Sequence, residues 1–157
     1  MTPDGAPSPD SAPGLLAVDV GLVTGLALFS RSGRLLWARS QHLGGRSQLK
    51  RRARGLLREL PGLRLVVLEG GGELAEVWSR EAARLGIESW TIPAEAWRKD
   101  MLLPRERTSG ATSKAWALRK AKEVIAGMEG KKPASLRTDA AEAVLVGVWA
   151  VGRSSKL

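Results

Sequence analysis

Cysteine and tyrosine are absent from this 157-residue chain, which holds one phenylalanine and one histidine. Without cysteine there are no disulfides, no thiolate metal sites and no thiol nucleophile. The lone histidine, His42, is too isolated for a histidine metal triad or a serine-hydrolase triad, and a surface loop is its default place. No apolar run is long enough to span a bilayer, and the proline-rich start lacks a signal-peptide core. Cytoplasmic residence is the simplest expectation. The terminal Ser155-Lys156-Leu157 matches a peroxisomal address, but so short a string arises readily by chance. What is present, 43% hydrophobic and 26% charged residues, describes an ordinary globular domain with a sizeable core.

Charge carries more information. Lys and Arg number 25 against 16 Asp and Glu, a net charge of +9. The pI is near 10.8. Such an excess favours a polyanionic partner, most often nucleic acid. A solubilising surface is the plainer alternative. The basic residues are not gathered into one membrane-binding tail.

Residues 1–13 hold four of the eight prolines and almost no large apolar side chains, which predicts a disordered tail before a domain over 14–153 and a flexible end over 154–157. Three short β-like segments follow, Leu15–Val20, Thr24–Ser30 and Arg34–Ser40, with turn residues between them. In "SQLKRRARGLLREL" the residues Leu49, Ala53, Leu56, Leu57 and Leu60 recur at helical spacing. Lys50, Arg51, Arg52, Arg54 and Arg58 line the other face, which reads as solvated and attractive to DNA. A buried-type strand over 63–69, a helix over 73–85 and a strand "IESWTI" come next. A loop "PRERTSGATS", a helix over 113–128, a loop "GKKPAS" and a helix from Asp139 complete the chain. The order βββαβαβαα predicts an α/β fold: a five-stranded mixed sheet, three strands an antiparallel meander and two parallel, with helices on both faces.

Four acids stand out against this plan. Asp19 interrupts the first strand, Glu69 ends the fourth, and Asp139 and Glu142 open the last helix three residues apart. If strands one and four are central neighbours, Asp19 and Glu69 lie side by side and the last helix can bring its first turn to them. Clustered carboxylates repel and resist desolvation, so a cation explains their company. All-oxygen ligands suit Mg2+ or Mn2+. Two such ions about 3.5–4 Å apart would clamp the attacking and leaving oxygens of a phosphodiester. Each acid also has an ordinary reading: Asp19 as a turn residue, Glu69 as a solvated strand end, Asp139 and Glu142 as a capping box. The four together, on this layout and on a basic protein, favour catalysis.

The segments "AVDVGLVTGLALF", "LVVLEGG", "TIPAEAWRKDML", "SKAWALRKAKEVI" and "TDAAEAVLVGVWAV" resemble, in order, those of RuvC-type Holliday junction resolvases, within the RNase H-like superfamily. The resemblance runs over about residues 15–152 and is most specific in the Asp-x-Gly-x-x-Thr-Gly opening and in Asp-Ala-Ala-Glu. It implies an RNase H-like fold, Asp19, Glu69, Asp139 and Glu142 as metal-binding and catalytic acids, Mg2+ as the cofactor, branched DNA as the partner, and a homodimer cutting two strands symmetrically. It also implies a functional lysine at Lys114, in its Ser-Lys context, and another cation after the fifth strand, where Arg98 or Lys99 stands. The family carries Asp at the position of Glu142, Pro at that of Val20, one more residue between the Gly and the Thr, and an aromatic after the strand-four Glu, where this chain has Gly70–Gly72.

Arg105 and Arg107, in the loop before the third long helix, join Arg98, Lys99 and Lys114 as expected DNA contacts. Lys114 is expected in the first turn of its helix, where a cation opposes the helix dipole and an approaching phosphate would compensate it. Among six tryptophans, Trp78, Trp116 and Trp149 read as core or dimer contacts, with Trp78 an exposed-side hint of dimerisation; Trp97, beside Arg98, is nearest to DNA yet better read as packing. Two other functions stay open: a sugar-kinase-like nucleotide-binding module, which would need a second phosphate loop and a second domain, and a DNA-binding scaffold without cleavage, or a nuclease for other branched or single-stranded nucleic acid.

Overall fold

The computed structural model describes residues 5, 7–128, 132, 133, 135–155 and 157. Strands β1 (Pro13–Asp19), β2 (Val23–Ser30), β3 (Leu35–His42), β4 (Leu65–Glu69) and β5 (Glu88–Ile92) form one sheet in the order β3-β2-β1-β4-β5. The first three pair antiparallel, and β1-β4 and β4-β5 pair parallel. This is the mixed sheet that the strand spacing predicts. Helices α1 (Arg46–Arg58) and α2 (Gly72–Arg84) cover one face; α3 (Ala94–Met101), α4 (Gly110–Ala126) and α5 (Thr138–Val151) cover the other.

Side-chain alternation divides the core. Along β1, Leu16 and Val18 point to α1 and α2, whereas Leu15 and Ala17 point to α5. Along β4, Val66 and Leu68 take the first face, Leu65 and Val67 the second. Both central strands are buried on both faces, hence their nearly unbroken apolar runs. Helix α5 is apolar almost all round and buries nine of its residues, the mark of a core helix. At Gly147 an added Cβ would lie 1.9 Å from the Phe29 ring, so only glycine lets α5 settle onto β2 there.

Several expectations change. Helix α3 is additional: after Pro93 eight residues make about two turns and bury Trp97, too short a segment for its periodicity to be seen. Helix α4 begins at Gly110, three residues before the expected start, because the Ser109 side chain accepts from the Thr112 N–H and caps it. Lys114 therefore sits in the second turn. The expected tail is shorter than residues 1–13: residues 8–11 make a turn, Asp10 accepts from the Ser32 hydroxyl at 2.6 Å, and Ala12 is buried. At the other end the Ser154 N–H donates to the Ala150 carbonyl and Leu157 packs against the core. Positions 1–4, 6, 129–131, 134 and 156, which include half of the expected 130–135 loop, lie outside the described residues. Trp78 is fully buried between the sheet and the helices above it, so it is no exposed hint of a dimer.

Arg54 is not part of a solvated face. It forms a two-pronged pair with buried Glu81 of α2, Nε to Oε2 at 2.9 Å and Nη2 to Oε1 at 3.3 Å. The guanidinium holds the Glu81 carboxyl below its ordinary range. A carboxyl depressed in the folded state adds stability above its unfolded pKa and loses it as pH falls. Glu81→Gln is thus expected to melt below the parent protein at neutral pH, with the gap narrowing as pH falls below the ordinary carboxylate range. Calorimetry across that range checks this; a gap that stays constant would show that the charge contributes nothing.

Candidate metal centre

The register that builds the sheet also builds the site. Asp19 and Glu69 are the last residues of β1 and β4, and they are direct partners across the parallel pair. By alternation both point to the α5 face, at the carboxyl end of the strands, where open α/β sheets place their ligands. Helix α5 supplies Glu142. Carboxylate oxygens of Asp19, Glu69 and Glu142 lie within 4.8 Å of one another. Glu69 and Glu142 are each 6% exposed.

The opening motif has a physical reading at each position. The Thr24 hydroxyl donates to the Gly21 carbonyl at 2.8 Å and closes the turn behind Asp19. Gly25 pairs with Asp19 across β1-β2. A Cβ on Gly25 would lie 1.8 Å from the Asp139 carbonyl oxygen. Glycine is therefore what lets the start of α5 come down beside Asp19.

Burial pushes the Asp19 carboxyl up to about 9, with the Glu69 charge, hydrogen bonding to Glu69, and then Glu142 adding to the rise. Burial raises Glu69 as well, and Glu142 adds to this, while Asp19, the Trp97 indole and Arg98 act against it. Among the described residues, Glu69 Oε2 is buried with no hydrogen-bond partner. Its neighbour Trp97 is fully buried, as expected for packing, and its indole acts on Glu69 without a full hydrogen bond among the described residues. A buried, unpaired carboxylate oxygen beside a carboxyl whose ionised form its neighbours oppose is an arrangement that a cation would relieve. The donor set fits a hard divalent ion.

The remaining expected site residues are placed differently. Asp139 is not in the cluster. Its shorter side chain, one helical turn from Glu142, turns to Arg137, Oδ2 to Nε at 3.7 Å, and is 31% exposed. The capping-box alternative is also absent, since α5 is capped by Arg137 without a side-chain hydrogen bond. Arg98 donates from Nη2 to Glu142 Oε1 at 2.9 Å and is 22% exposed, so it is a counter-charge to the acids more than a free surface cation. Its Nε is buried and unpartnered. Lys99, Arg105, Arg107 and Lys114 are exposed. His42 is exposed at the end of β3, where its Nδ1 accepts from the Gly44 N–H. Sequence reasoning missed Gly25 and the Arg98–Glu142 pair; the glycine was visible within the motif, the pair was not.

Two solved structures share this architecture. T. thermophilus RuvC, in complex with Holliday junction substrate, superposes with a TM-score of 0.60 at 13% identity over 90% of this chain and 96% of that one. The fold is that of RuvC. The yeast mitochondrial Holliday junction resolvase Ydc2 superposes with a TM-score of 0.55 at 12% identity, over 93% of this chain and 81% of that one. No protein-family model and no curated protein sequence matches the chain. No helix among the described residues is long and apolar enough to cross a membrane.

Proposed function

We propose that this protein is a divalent-metal-dependent, structure-selective DNA endonuclease that resolves four-way junctions. The observation that carries this reading is the convergence of Asp19, Glu69 and Glu142 oxygens within 4.8 Å, at the strand ends of a RuvC-like fold. Asp19, Glu69 and Glu142 hold the metal, Mg2+ or Mn2+. Asp139 serves as an outer carboxylate: its pair with Arg137, which is 67% exposed, belongs to the weak surface class and yields to a competing cation. A divalent ion held by these residues would supply an activated water and a counter-charge for the scissile phosphate. The residues of the chain do the rest. Trp97 and α5 keep water from the buried side of Glu69, and Arg98 holds Glu142 in place. Lys99, Arg105, Arg107 and Lys114 give an exposed basic surface for the DNA backbone. Hydrolysis leaves 5′-phosphate and 3′-hydroxyl ends, and a homodimer makes paired cuts on two strands, the chemistry of DNA recombination and repair.

A synthetic four-way junction incubated with Mg2+ and the protein is expected to yield paired nicks, whereas linear duplex of the same sequence is spared. Equal cutting of both substrates would remove the structure selectivity. A second reading, a DNA-binding scaffold, draws on the Arg98–Glu142 pair, which already neutralises one acid. Junction binding with no cutting in either Mg2+ or Mn2+ would favour it.

A further inference from the structure

Helices α1 and α2 lie on the sheet face away from the acids and run in register. Arg46 pairs with Glu73 at 3.4 Å, and eight residues on in both helices Arg54 pairs with Glu81 at 2.9 Å. Residues 46, 50, 54 and 58 are spaced four apart and follow one ridge of α1. The rung between the two bridges brings Lys50 level with position 77, which is Val77 in place of an acid. One step of the ladder is thus a cation without a carboxylate.

A cavity of about 260 Å3 opens at this step, lined by Arg46, Ser47, Lys50, Val77, Arg80, Glu81 and Arg84. Arg80 has Glu76 at 3.6 Å. Glu81 is committed to Arg54 through both oxygens. Lys50 and Arg84 are exposed and make no ion pair among the described residues, although both help to hold the Glu81 carboxyl down. Two uncompensated cations therefore meet at a concave seam. A second copy presenting the same surface would be repelled, since like charges oppose each other. An extended polyanion is attracted.

We propose that the α1–α2 seam binds phosphate groups of a DNA backbone through Lys50 and Arg84, at a place separate from the acid cluster. Because the acids lie on the opposite face of the sheet, the phosphates held here belong to a different stretch of DNA from the one at the strand ends. The proposal rests on the reading of the chain as a DNA-binding protein but not on cleavage.

The test measures binding of a fluorescent four-way junction by anisotropy across a salt series, with EDTA present, for the full chain. Each phosphate contact contributes about 0.9 to the slope of log affinity against log salt. Lys50→Gln/Arg84→Gln and Lys50→Glu/Arg84→Glu are both expected to lower the slope by about 1.8. They should also weaken binding at least about tenfold at moderate salt. Arg39→Glu/Lys122→Glu changes net charge as much as the second pair, at exposed positions outside the seam and outside the expected DNA contacts, and should leave the slope nearly unchanged. An unchanged slope in the Gln pair, or an equal fall in the Arg39/Lys122 control, overturns the proposal. So does a seam that proves to serve anionic vesicles, with the seam variants losing vesicle binding but keeping junction binding. If the parent chain does not bind the junction, both this proposal and the DNA reading fail; if the slope falls as stated but no junction is ever cut, only the endonuclease reading fails.

Discussion

Asp19→Asn is expected to abolish metal-dependent junction cleavage and, at the same time, to stabilise the metal-free protein. The loss of rate follows from removing a ligand at the reacting centre. Charge stabilisation by a metal amounts to several kcal/mol in a transition state, and at about 1.4 kcal/mol per tenfold this is a thousandfold or more. The gain in stability follows from the company Asp19 keeps: burial, Glu69 and Glu142 all oppose its ionised form. The sign with pH can be worked out. The folded chain keeps a proton on Asp19 up to about 9, whereas the unfolded chain releases it near the ordinary value of 3.8. The folded state therefore binds more protons throughout that window, and metal-free stability falls as pH rises through it. Asparagine mimics the protonated form and should flatten the profile. Adding Mg2+ reverses the order. At a hundredfold excess over its dissociation constant it stabilises the parent protein by about 2.7 kcal/mol, or about 5–10 °C for a domain of this size, and the variant by little. Melting curves in EDTA and in Mg2+ at pH 6 and about pH 8.5 check all of this. An Asn variant that melts below the parent protein in EDTA, or that gains as much from Mg2+, would rule out Asp19 as a ligand.

Gly25→Ala should be damaging out of proportion to its one methyl group. The new Cβ would stand 1.8 Å from the Asp139 carbonyl oxygen, a backbone atom at the start of α5. The helix end has to lift. Overpacking of this kind costs about 1–3 kcal/mol, and the lift also draws Glu142 from Asp19 and Glu69, so metal affinity should fall with stability. Gly55→Ala is the matched comparison. Gly55 lies within α1 with nothing within 4 Å of an added Cβ, and its φ is not positive. The same methyl there should stabilise by up to about 1 kcal/mol, since alanine favours helix and narrows the unfolded ensemble. Titration calorimetry with Mn2+ and thermal melts of the two variants give opposite signs if the packing of α5 sets the site. Unchanged metal affinity in Gly25→Ala would separate the helix start from the acids.

How far the sequence revealed this arrangement depended on the range of each interaction. The strands were legible because alternation and buried runs are local, and the pairing of Asp19 with Glu69 followed once β1 and β4 were taken as neighbours. Lys114 was placed a turn too early because Gly110 and Ala111 read as loop, and only the Ser109 cap starts the helix there. Arg54 lies between the apolar and polar sides of α1, and nothing short of Glu81 in another helix determines which it joins. Arg98 and Glu142 are 44 residues apart; no spacing rule connects them. Asp139 and Glu142 looked equivalent in sequence, yet the longer side chain reaches inward while the shorter one meets Arg137.

The helix that carries Glu142 is also the one buried deepest, with Ala140, Ala141 and Ala143 fully enclosed around the acid. The reach of that carboxylate is set by the thickness of the layer beneath it, by Gly25, Ala27 and the alanines of α5, none of which would touch DNA. Natural selection on the reaction would then act on the smallest side chains in the interior. A single added carbon beneath the acids would then be enough to end the proposed activity, with all four acids still present in the sequence.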